Sequence, residues 1–214
     1  MGARTRGVKA PRSYDTTRRR AQADRRRTVV LDAAQARFVR NGYAATTVES
    51  IAEASGVSAA TIYKTYGGKG GLVGLLCQRA LAGTGVVHAE TRSNALRSSP
   101  DGRAVIEGWG ELVAEVSPRI SPLLLLLRVA ADTDDVARNL YEEFDQARLT
   151  RMAEGAEHLA AAGHLRSGVS VREARDVLWF CSSPEVYDSL VNRRRWDISA
   201  YSRFIATTMA AALL

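Results

Sequence analysis

Apolar residues recur at intervals of three and four positions along almost the whole chain, and no segment alternates apolar and polar residues as a half-buried strand would. One such stripe near the start consists of Val30, Leu31, Ala34 and Phe38. Residues that end or begin helices separate the stripes, for example Asn41-Gly42 and Ser170. The pattern predicts an all-α fold.

Prolines indicate two further interruptions of the helical pattern. We expect Pro118 and Pro122 to bracket a turn between a helix at 104–116 and an apolar helix at 123–131, because proline inside a helix removes a backbone hydrogen bond. The dipeptide Ser183-Pro184 should kink or break a later helix in the same way.

The composition is that of a globular protein. Of the 214 residues, 46% are hydrophobic and 25% are charged, which is too apolar for an intrinsically disordered chain. The longest strongly apolar stretch, residues 123–127, is far shorter than the ~20 residues of a membrane span. With two cysteines, Cys77 and Cys181, a disulfide framework is not expected. These features predict a cytoplasmic protein that is not associated with a membrane.

Positive charge is concentrated at the N-terminus. Residues 1–27 contain ten Arg or Lys and two Asp, a net charge of +8, whereas the other 187 residues sum to −1. We expect residues 1–22 to form a basic, largely disordered arm. Such an arm is either a solvated tail or a segment that neutralises phosphates and steers the chain onto nucleic acid. A membrane-surface role is disfavoured, because the arm lacks interleaved Trp, Phe or Leu.

Residues 47–66 have the spacing of a helix-turn-helix. Ala52 allows the two short helices to approach closely, and Gly56 supplies the positive φ that the turn between them requires. Ile62 then fills the space between the helices. The second helix exposes short, polar or basic side chains that suit entry into the major groove, namely Ala59, Ala60, Thr61, Lys64 and Thr65.

The residues around this motif resemble the DNA-binding domain of the TetR (tetracycline-repressor) family of transcriptional regulators. The resemblance covers about residues 28–73 and is carried by the pattern Phe38-x3-Gly42-x3-Thr46-Thr47-Val48-x2-Ile51-Ala52-x-Ala54-x-Gly56-Val57-Ser58-x2-Thr61-Ile62-Tyr63-x2-Tyr66-x2-Lys69-x2-Leu72. It implies a three-helix DNA-binding domain at 23–70, after the arm, and a helical effector-binding and dimerisation domain at 71–214.

The resemblance also implies which residues contact DNA. They are Arg25, Arg26, Arg27, Thr46, Thr47, Ser58, Ala59, Ala60, Thr61, Tyr63, Lys64, Thr65 and Lys69. Tyr66 stands where the family usually has Phe and is expected to pack inside the domain. Two residues depart from the family pattern: Gly68 replaces a capping side chain, and Gly70 replaces a Glu. Both changes weaken the start of the fourth helix.

Aromatic and apolar residues of the later helices are candidates for an effector site. The set comprises Trp109, Leu112, Val116, Leu126, Arg128, Tyr141, Phe144, Trp179 and Phe180. Each of them could equally be packed core. Arg128 follows a strongly apolar run, so it should either bind an anionic ligand group or pair with a carboxylate such as Glu111 or Glu143.

No enzymatic or metal chemistry is indicated by the sequence. His158 and His164 are six residues apart and do not share a helix face, and no zinc-type cluster or nucleotide-binding loop occurs. We therefore expect no catalytic residue, no metal and no cofactor. Cys181, beside two aromatic residues, is interpreted as a small core residue rather than a redox sensor.

Together these patterns predict a DNA-binding transcriptional regulator. The preferred hypothesis is a homodimeric repressor that releases a palindromic operator when it binds a small apolar or aromatic effector. The dimer would form through apolar faces of the last helices, at Val177, Leu178, Val186, Leu190, Phe204, Ile205 and Met209. The alternative is a helical DNA-binding protein without small-molecule control.

Overall fold

The computed structural model describes the backbone of residues 13–214 and the side chains from residue 18 onward. Within this part of the chain every regular element is helical, which confirms the all-α prediction. The elements are α1 (Ser13–Ala45), α2 (Val48–Ser55), α3 (Ala59–Tyr66), α4 (Lys69–Leu81), α5 (Ala89–Leu96), α6 (Gly102–Ala130), α7 (Asp135–Ala161), α8 (Val171–Cys181), α9 (Pro184–Tyr187), a π-helical segment (Asp188–Arg193) and α10 (Ile198–Leu213).

The first of two hydrophobic clusters joins α1–α4 to the C-terminal half of α6. Its fully or almost fully buried side chains include Val30, Phe38, Ile51, Ile62, Leu72, Leu76, Leu123 and Leu127. Because Leu123 and Leu127 complete this core from α6, the cluster crosses the domain boundary predicted near residue 70. That boundary stays a prediction.

The second cluster surrounds the N-terminal half of α6 and is closed by α7, α8 and α10. Its buried members include Val105, Ile106, Trp109, Leu159, Leu178, Tyr201, Ile205 and Met209. Helix α6 therefore serves both clusters, and its two halves belong to different cores.

Helix α6 runs unbroken through Pro118 and Pro122, so the prediction of a turn between two helices was wrong. Each proline removes one backbone donor, but the helix buries side chains on both sides of them, among them Ser117, Ile120 and Leu124. Packing of these side chains against the surrounding helices outweighs the missing hydrogen bonds. Tertiary contacts here override the local signal.

The first helix begins earlier than expected. Helix α1 starts at Ser13, so residues 13–22 are helical and the prediction of a disordered arm was wrong for them. Arginine and alanine are good helix formers, and nothing in this stretch stops a helix. Residues 1–12 lie outside the described residues. At the other end, Gly42 interrupts α1 with a φ of 77°, close to the stop predicted at Asn41-Gly42.

Two of the predicted helix boundaries lie in the C-terminal part of the chain, at Ser170 and at Ser183-Pro184. Ser170 and Glu173 form the reciprocal capping box at the start of α8. The chain breaks at Ser183-Pro184 as predicted, since α8 ends at Cys181 and Pro184 begins the short α9. Asp197 caps α10. None of the helices described is both long and apolar enough to span a bilayer.

Candidate functional site

The turn between α2 and α3 is built around Gly56. Its φ of 66° is left-handed, a conformation that costs other residues free energy, and its N–H closes α2 by donating to the carbonyl of Ala52. Ile62 of α3 is fully buried and packs in the same cluster as Ile51 of α2. The turn and the clamp are those predicted for a helix-turn-helix.

Hydroxyl side chains cap both helices of this motif. The Thr47 Oγ1 accepts from the backbone N–H of Ser50 at 3.1 Å, so Thr47 is the cap of α2. The Ser58 Oγ accepts from the N–H of Thr61 and also lies 2.8 Å from the Thr61 hydroxyl. These bonds hold the start of α3 in place without help from a ligand.

One face of α3 points away from the protein. Ser58, Ala60, Thr61, Tyr63, Lys64 and Thr65 are all exposed, whereas Ile62 is buried beneath them. The Tyr63 ring lies against the backbone of Gly68, where an added Cβ would meet the ring at 3.3 Å, and 54% of the residue is exposed. The result is a narrow helical ridge with a basic side chain, Lys64, and several hydroxyls.

Three residues predicted to contact DNA make contacts inside the protein. Thr46 is buried, and its hydroxyl donates to the carbonyl of Gly42 at 2.7 Å, so it secures the end of α1. Ala59 is half-buried and packs on the first hydrophobic cluster. The Lys69 Nζ donates to the carbonyl of Tyr43 at 3.2 Å and lies 4.2 Å from the Tyr43 ring centroid. The structure thus assigns Thr46 and Lys69 internal contacts, because their polar groups have partners within the protein.

The N-terminal part of α1 carries the basic residues as an exposed helix. Every described side chain from residue 18 to residue 29 is exposed, including Arg25, Arg26 and Arg27, and Val30 is the first buried one. The cationic segment therefore leads directly into the first helix of the helix-turn-helix unit.

A second candidate site is a cavity of about 640 Å³ beside α6. Its apolar wall comes mainly from α6, with Trp109, Leu112, Val113, Val116, Ile120 and Leu124. Gly155 of α7 leaves room for the Trp109 ring, since a Cβ at that position would lie 3.3 Å from it. The Trp109 indole N–H donates to the carbonyl of Ser93 at 3.3 Å, which fixes the ring.

The cavity includes four of the nine residues predicted to bind an effector: Trp109, Leu112, Val116 and Phe144. The other five residues of that prediction, Leu126, Arg128, Tyr141, Trp179 and Phe180, do not line the cavity. Arg128 is 55% exposed on its side chain and pairs with Glu185, not with Glu111 or Glu143. Arg148 covers the Trp179 ring, 4.5 Å from its centroid, and Phe180 is exposed.

Most polar residues of the cavity were missed by the sequence analysis. They include Arg97, Arg148 and Arg151, together with Ser93, Ser117 and Ser182. Helix α7 does carry a recognisable signal, because Phe144, Ala147, Arg148, Arg151, Met152 and Gly155 follow the spacing of a single helix face. Their position beside α6 follows from the tertiary fold alone.

Comparison with known proteins agrees with the helix-turn-helix geometry. Residues 30–76 match the family described as bacterial regulatory proteins, tetR family. The helix-turn-helix segment of this chain therefore has the sequence of the N-terminal domain of the TetR family.

A curated relative and two solved structures show how far the likeness extends. The uncharacterized HTH-type transcriptional regulator YvkB of Bacillus subtilis is 38% identical over 65 residues, which is 30% of this chain and 34% of YvkB. The match therefore spans about a third of that relative's length. NalD, described as the secondary repressor of the MexAB-OprM multidrug efflux pump in Pseudomonas aeruginosa, superposes with a TM-score of 0.72 at 20% identity over 91% of this chain and 98% of NalD. Salmonella enterica GusR superposes with a TM-score of 0.64 at 16% identity, over 88% and 95% of the two chains.

Two glycines, Gly68 and Gly70, lie at the start of α4, and the structure explains one of them. A Cβ on Gly70 would lie 2.5 Å from the Val136 side chain, so glycine lets α7 approach α4 closely. Gly68 precedes α4 with a φ of 88° and provides no side-chain cap. Burial and the nearby charge of Asp134 raise the pKa of Tyr43, beside Lys69, to about 12, so its phenol stays neutral.

Arginines connect α4 to α6 and to α1. The Arg119 guanidinium of α6 donates to the carbonyl of Arg79, near the end of α4, at 3.1 Å. Arg79 in turn donates to Asp32 and Gln35 of α1, at 2.7 and 2.6 Å. A continuous path of contacts therefore runs from α6 through α4 to α1, which no sequence pattern had indicated.

Proposed function

We propose that the chain is a dimeric transcriptional regulator that binds inverted-repeat operator DNA through α3 and releases it when a small molecule occupies the cavity beside α6. The observation that carries the proposal is the exposed ridge of α3. Thr61, Tyr63 and Lys64 project from it, while the helix beneath is held by its own cap and by buried Ile62.

The dimensions and chemistry of the ridge suit the major groove of B-DNA. A helix with short side chains can enter the groove, and hydroxyl and ammonium groups bind base edges and phosphates there. The exposed arginines at the start of α1 supply further positive charge, which raises affinity for any duplex in a salt-dependent manner. Of the residues predicted to contact DNA, we retain Arg25, Arg26, Arg27, Thr47, Ser58, Ala60, Thr61, Tyr63, Lys64 and Thr65.

Dimerisation through the last helices is supported by exposed aromatic residues. Phe204 is 38% exposed and packs edge-to-face against the exposed Trp196, with 5.5 Å between ring centroids. Leu178, Ile205 and Met209, which the sequence analysis assigned to the interface, are instead buried in the second hydrophobic cluster. The proposed interface therefore centres on Phe204 and Trp196. A two-fold axis there would present two copies of α3 to one face of DNA.

The position of the cavity supports control by a small molecule. Gln78, Leu81 and Ala82, at the end of α4, line it together with residues of α6 and α7. The same end of α4 is bonded to α1 through Arg79. A ligand that binds one arrangement of these helices more tightly than another shifts their populations, and with them the separation of the two α3 helices in the dimer.

DNA selection tests the DNA-binding part of this proposal. The full chain should enrich an inverted repeat from a pool of random duplexes, with half-sites about one helical turn apart. Thr61→Ala and Lys64→Ala should each weaken binding to that sequence by about 1–3 kcal/mol if the side chain reads a base. The exposed Val39→Ala on α1 is a matched control. A pool that stays random, or equal affinity of both variants and the unaltered chain, would contradict the proposal.

A further inference from the structure

Three arginines converge on the cavity beside α6. Arg97 directly follows α5, and Arg148 and Arg151 lie one turn apart on α7. All three line the cavity, and their side chains are 14–22% exposed. The lining therefore combines the apolar residues of α6 with three guanidinium groups from the end of α5 and from α7.

Carboxylates surround this cluster but lie mostly outside the cavity. Arg97 pairs with Glu154 at 3.4 Å, and Arg148 pairs with Asp145 at 2.6 Å, yet neither acid belongs to the lining. Glu90 does line the cavity, but its side chain is 75% exposed and lies 3.5 Å from Arg151. The lining thus contains three guanidinium groups and one solvated carboxylate.

The guanidinium groups are not fully compensated by the protein. The Nε atoms of Arg97 and Arg148 are buried and have no hydrogen-bond partner among the described residues. Burial and the charge of Arg97 lower the pKa of Arg151, in spite of the nearby Glu90 and Glu154. Two buried N–H groups beside the cavity are therefore left for an acceptor that the described residues do not supply.

We infer that the cavity binds an amphipathic organic acid, with its carboxylate on the cluster of Arg97, Arg148 and Arg151 and its apolar body against α6. This inference rests on the proposed function only in taking the cavity as a ligand site. A guanidinium group holds a carboxylate by charge-assisted hydrogen bonds, and these strengthen when the site excludes water. Trp109, Leu112 and Val113 offer contact area to the rest of the ligand.

Arg151 is the side chain best placed to change partner on ligand binding. It donates to the Glu90 carbonyl at 3.2 Å and to the Asn94 side chain at 2.7 Å, and so ties α7 to α5. Its ionic contacts with Glu90 and Glu154 are both 3.5 Å long, weaker than its bond to Asn94. A ligand carboxylate can replace these long contacts at little cost.

Matched acids and alcohols test the inference directly. We suggest titrating the full chain with decanoate and 1-decanol, and with 4-phenylbutanoate and 4-phenylbutan-1-ol, following tryptophan fluorescence. At least one acid should bind about ten-fold or more tightly than its alcohol. Arg151→Gln should remove that preference while leaving the affinity for the alcohol nearly unchanged, which also shows that the variant is folded.

The control variant is Arg103→Gln, which removes an exposed arginine of α6 outside the cavity lining and should retain the preference. Equal affinity for acid and alcohol in both pairs, or no binding of any of the four compounds, would overturn the inference. Loss of the preference in Arg103→Gln to the same degree as in Arg151→Gln would overturn it too. The titration contains no DNA, so failure to bind an operator would refute the proposed function and leave this result standing.

Discussion

The ridge of α3 and the cavity beside α6 place positive charge in opposite settings. On the ridge, Lys64 stands in water and the hydroxyls of Ser58 and Thr61 bond to each other. In the cavity, Arg97 and Arg148 are largely removed from water and carry buried N–H groups without partners among the described residues. Solvated charges bind many phosphates weakly and in a salt-dependent way, whereas desolvated charges bind one group strongly.

The two regions also differ in the contacts that stabilise them. The ridge depends on local bonds: a cap at each helix start, Gly56 in the turn, and Ile62 below. The cavity depends on helices that are distant in the chain, since its lining comes from α4 to α10. A substitution that affects DNA binding by the ridge should therefore leave ligand binding in the cavity largely unchanged, and the reverse should also hold.

The largest difference should appear when the dimer is broken. Phe204→Asp places a charge on the exposed aromatic pair with Trp196 and should give a monomer. Operator affinity should fall by about a hundred-fold, because two linked α3 helices bind far better than one. Ligand binding should persist if each cavity belongs to one protomer. Light scattering and fluorescence anisotropy measure the two effects, and Val129→Asp, at a 78% exposed position on α6, is the control.

A wild-type chain that is a monomer at micromolar concentration would contradict this model. So would a dimeric Phe204→Asp with undiminished operator affinity.

Filling the cavity should have the opposite result, with ligand affinity lost and operator affinity kept. Leu112→Trp enlarges a half-buried side chain of the apolar wall and should lower ligand affinity about ten-fold or more by excluding the ligand. Operator affinity without ligand should change little, because Leu112 belongs to the second cluster and not to the helix-turn-helix core. Decanoate titration and anisotropy on the same preparation compare the two sites. Equal weakening at both would show that the ridge and the cavity are not separable.

Removing the N-terminal segment should reduce affinity for DNA more modestly. Residues 1–20 contain seven Arg or Lys and one Asp. Their deletion should lower affinity for all duplexes by several-fold and flatten the dependence of log K on log salt by about one unit for each phosphate that the segment neutralises. Folding should be preserved, since Val30 is the first buried residue from position 18 onward, where the side chains are described. An unchanged salt slope would identify the segment as a solvated tail.

The smallest expected effect concerns Glu115 of α6, which accepts hydrogen bonds from Thr84, in the loop after α4, and from Arg92 of α5. Hydrogen bonds from Arg92 and Thr84 lower the pKa of Glu115 to about 2. A carboxyl with a lowered folded-state pKa stabilises the protein above its unfolded pKa, near 4.5, and loses that contribution as the pH falls towards 2. Glu115→Gln should therefore lower Tm by a few degrees at pH 7, with a smaller difference near pH 3. A destabilisation that is the same at both pH values would rule out the ionic contribution.

The helix-turn-helix could be predicted in detail because its determinants are local. Gly56, the Ser58 cap and the buried Ile62 are separated by a few residues, so their spacing alone specifies the turn. Even in this domain, the sequence alone did not show that two of the expected DNA contacts have partners inside the protein. Thr46 and Lys69 have the residue types of DNA contacts, but the carbonyls of Gly42 and Tyr43 bind their polar groups.

The cavity could be predicted only in part, for a physical reason. A residue's type shows that it can line a cavity, while the crossing of helices decides whether it does. Trp109 and Phe144 face the cavity, whereas Trp179, with the same chemistry, is covered by Arg148. Arg128 follows the most apolar run of the chain and still points outward to Glu185.

By itself the sequence determined the helical class, the start of α8 at Ser170 and the turn at Gly56, since each depends on side chains within a few residues of one another. The tertiary structure decided the rest. It carried α6 through Pro118 and Pro122, because packing on both sides of the prolines outweighs the absence of two hydrogen bonds. It also brought Arg97 to Arg148 and Arg151, across some 50 residues of chain, because α5 and α7 both pack beside α6.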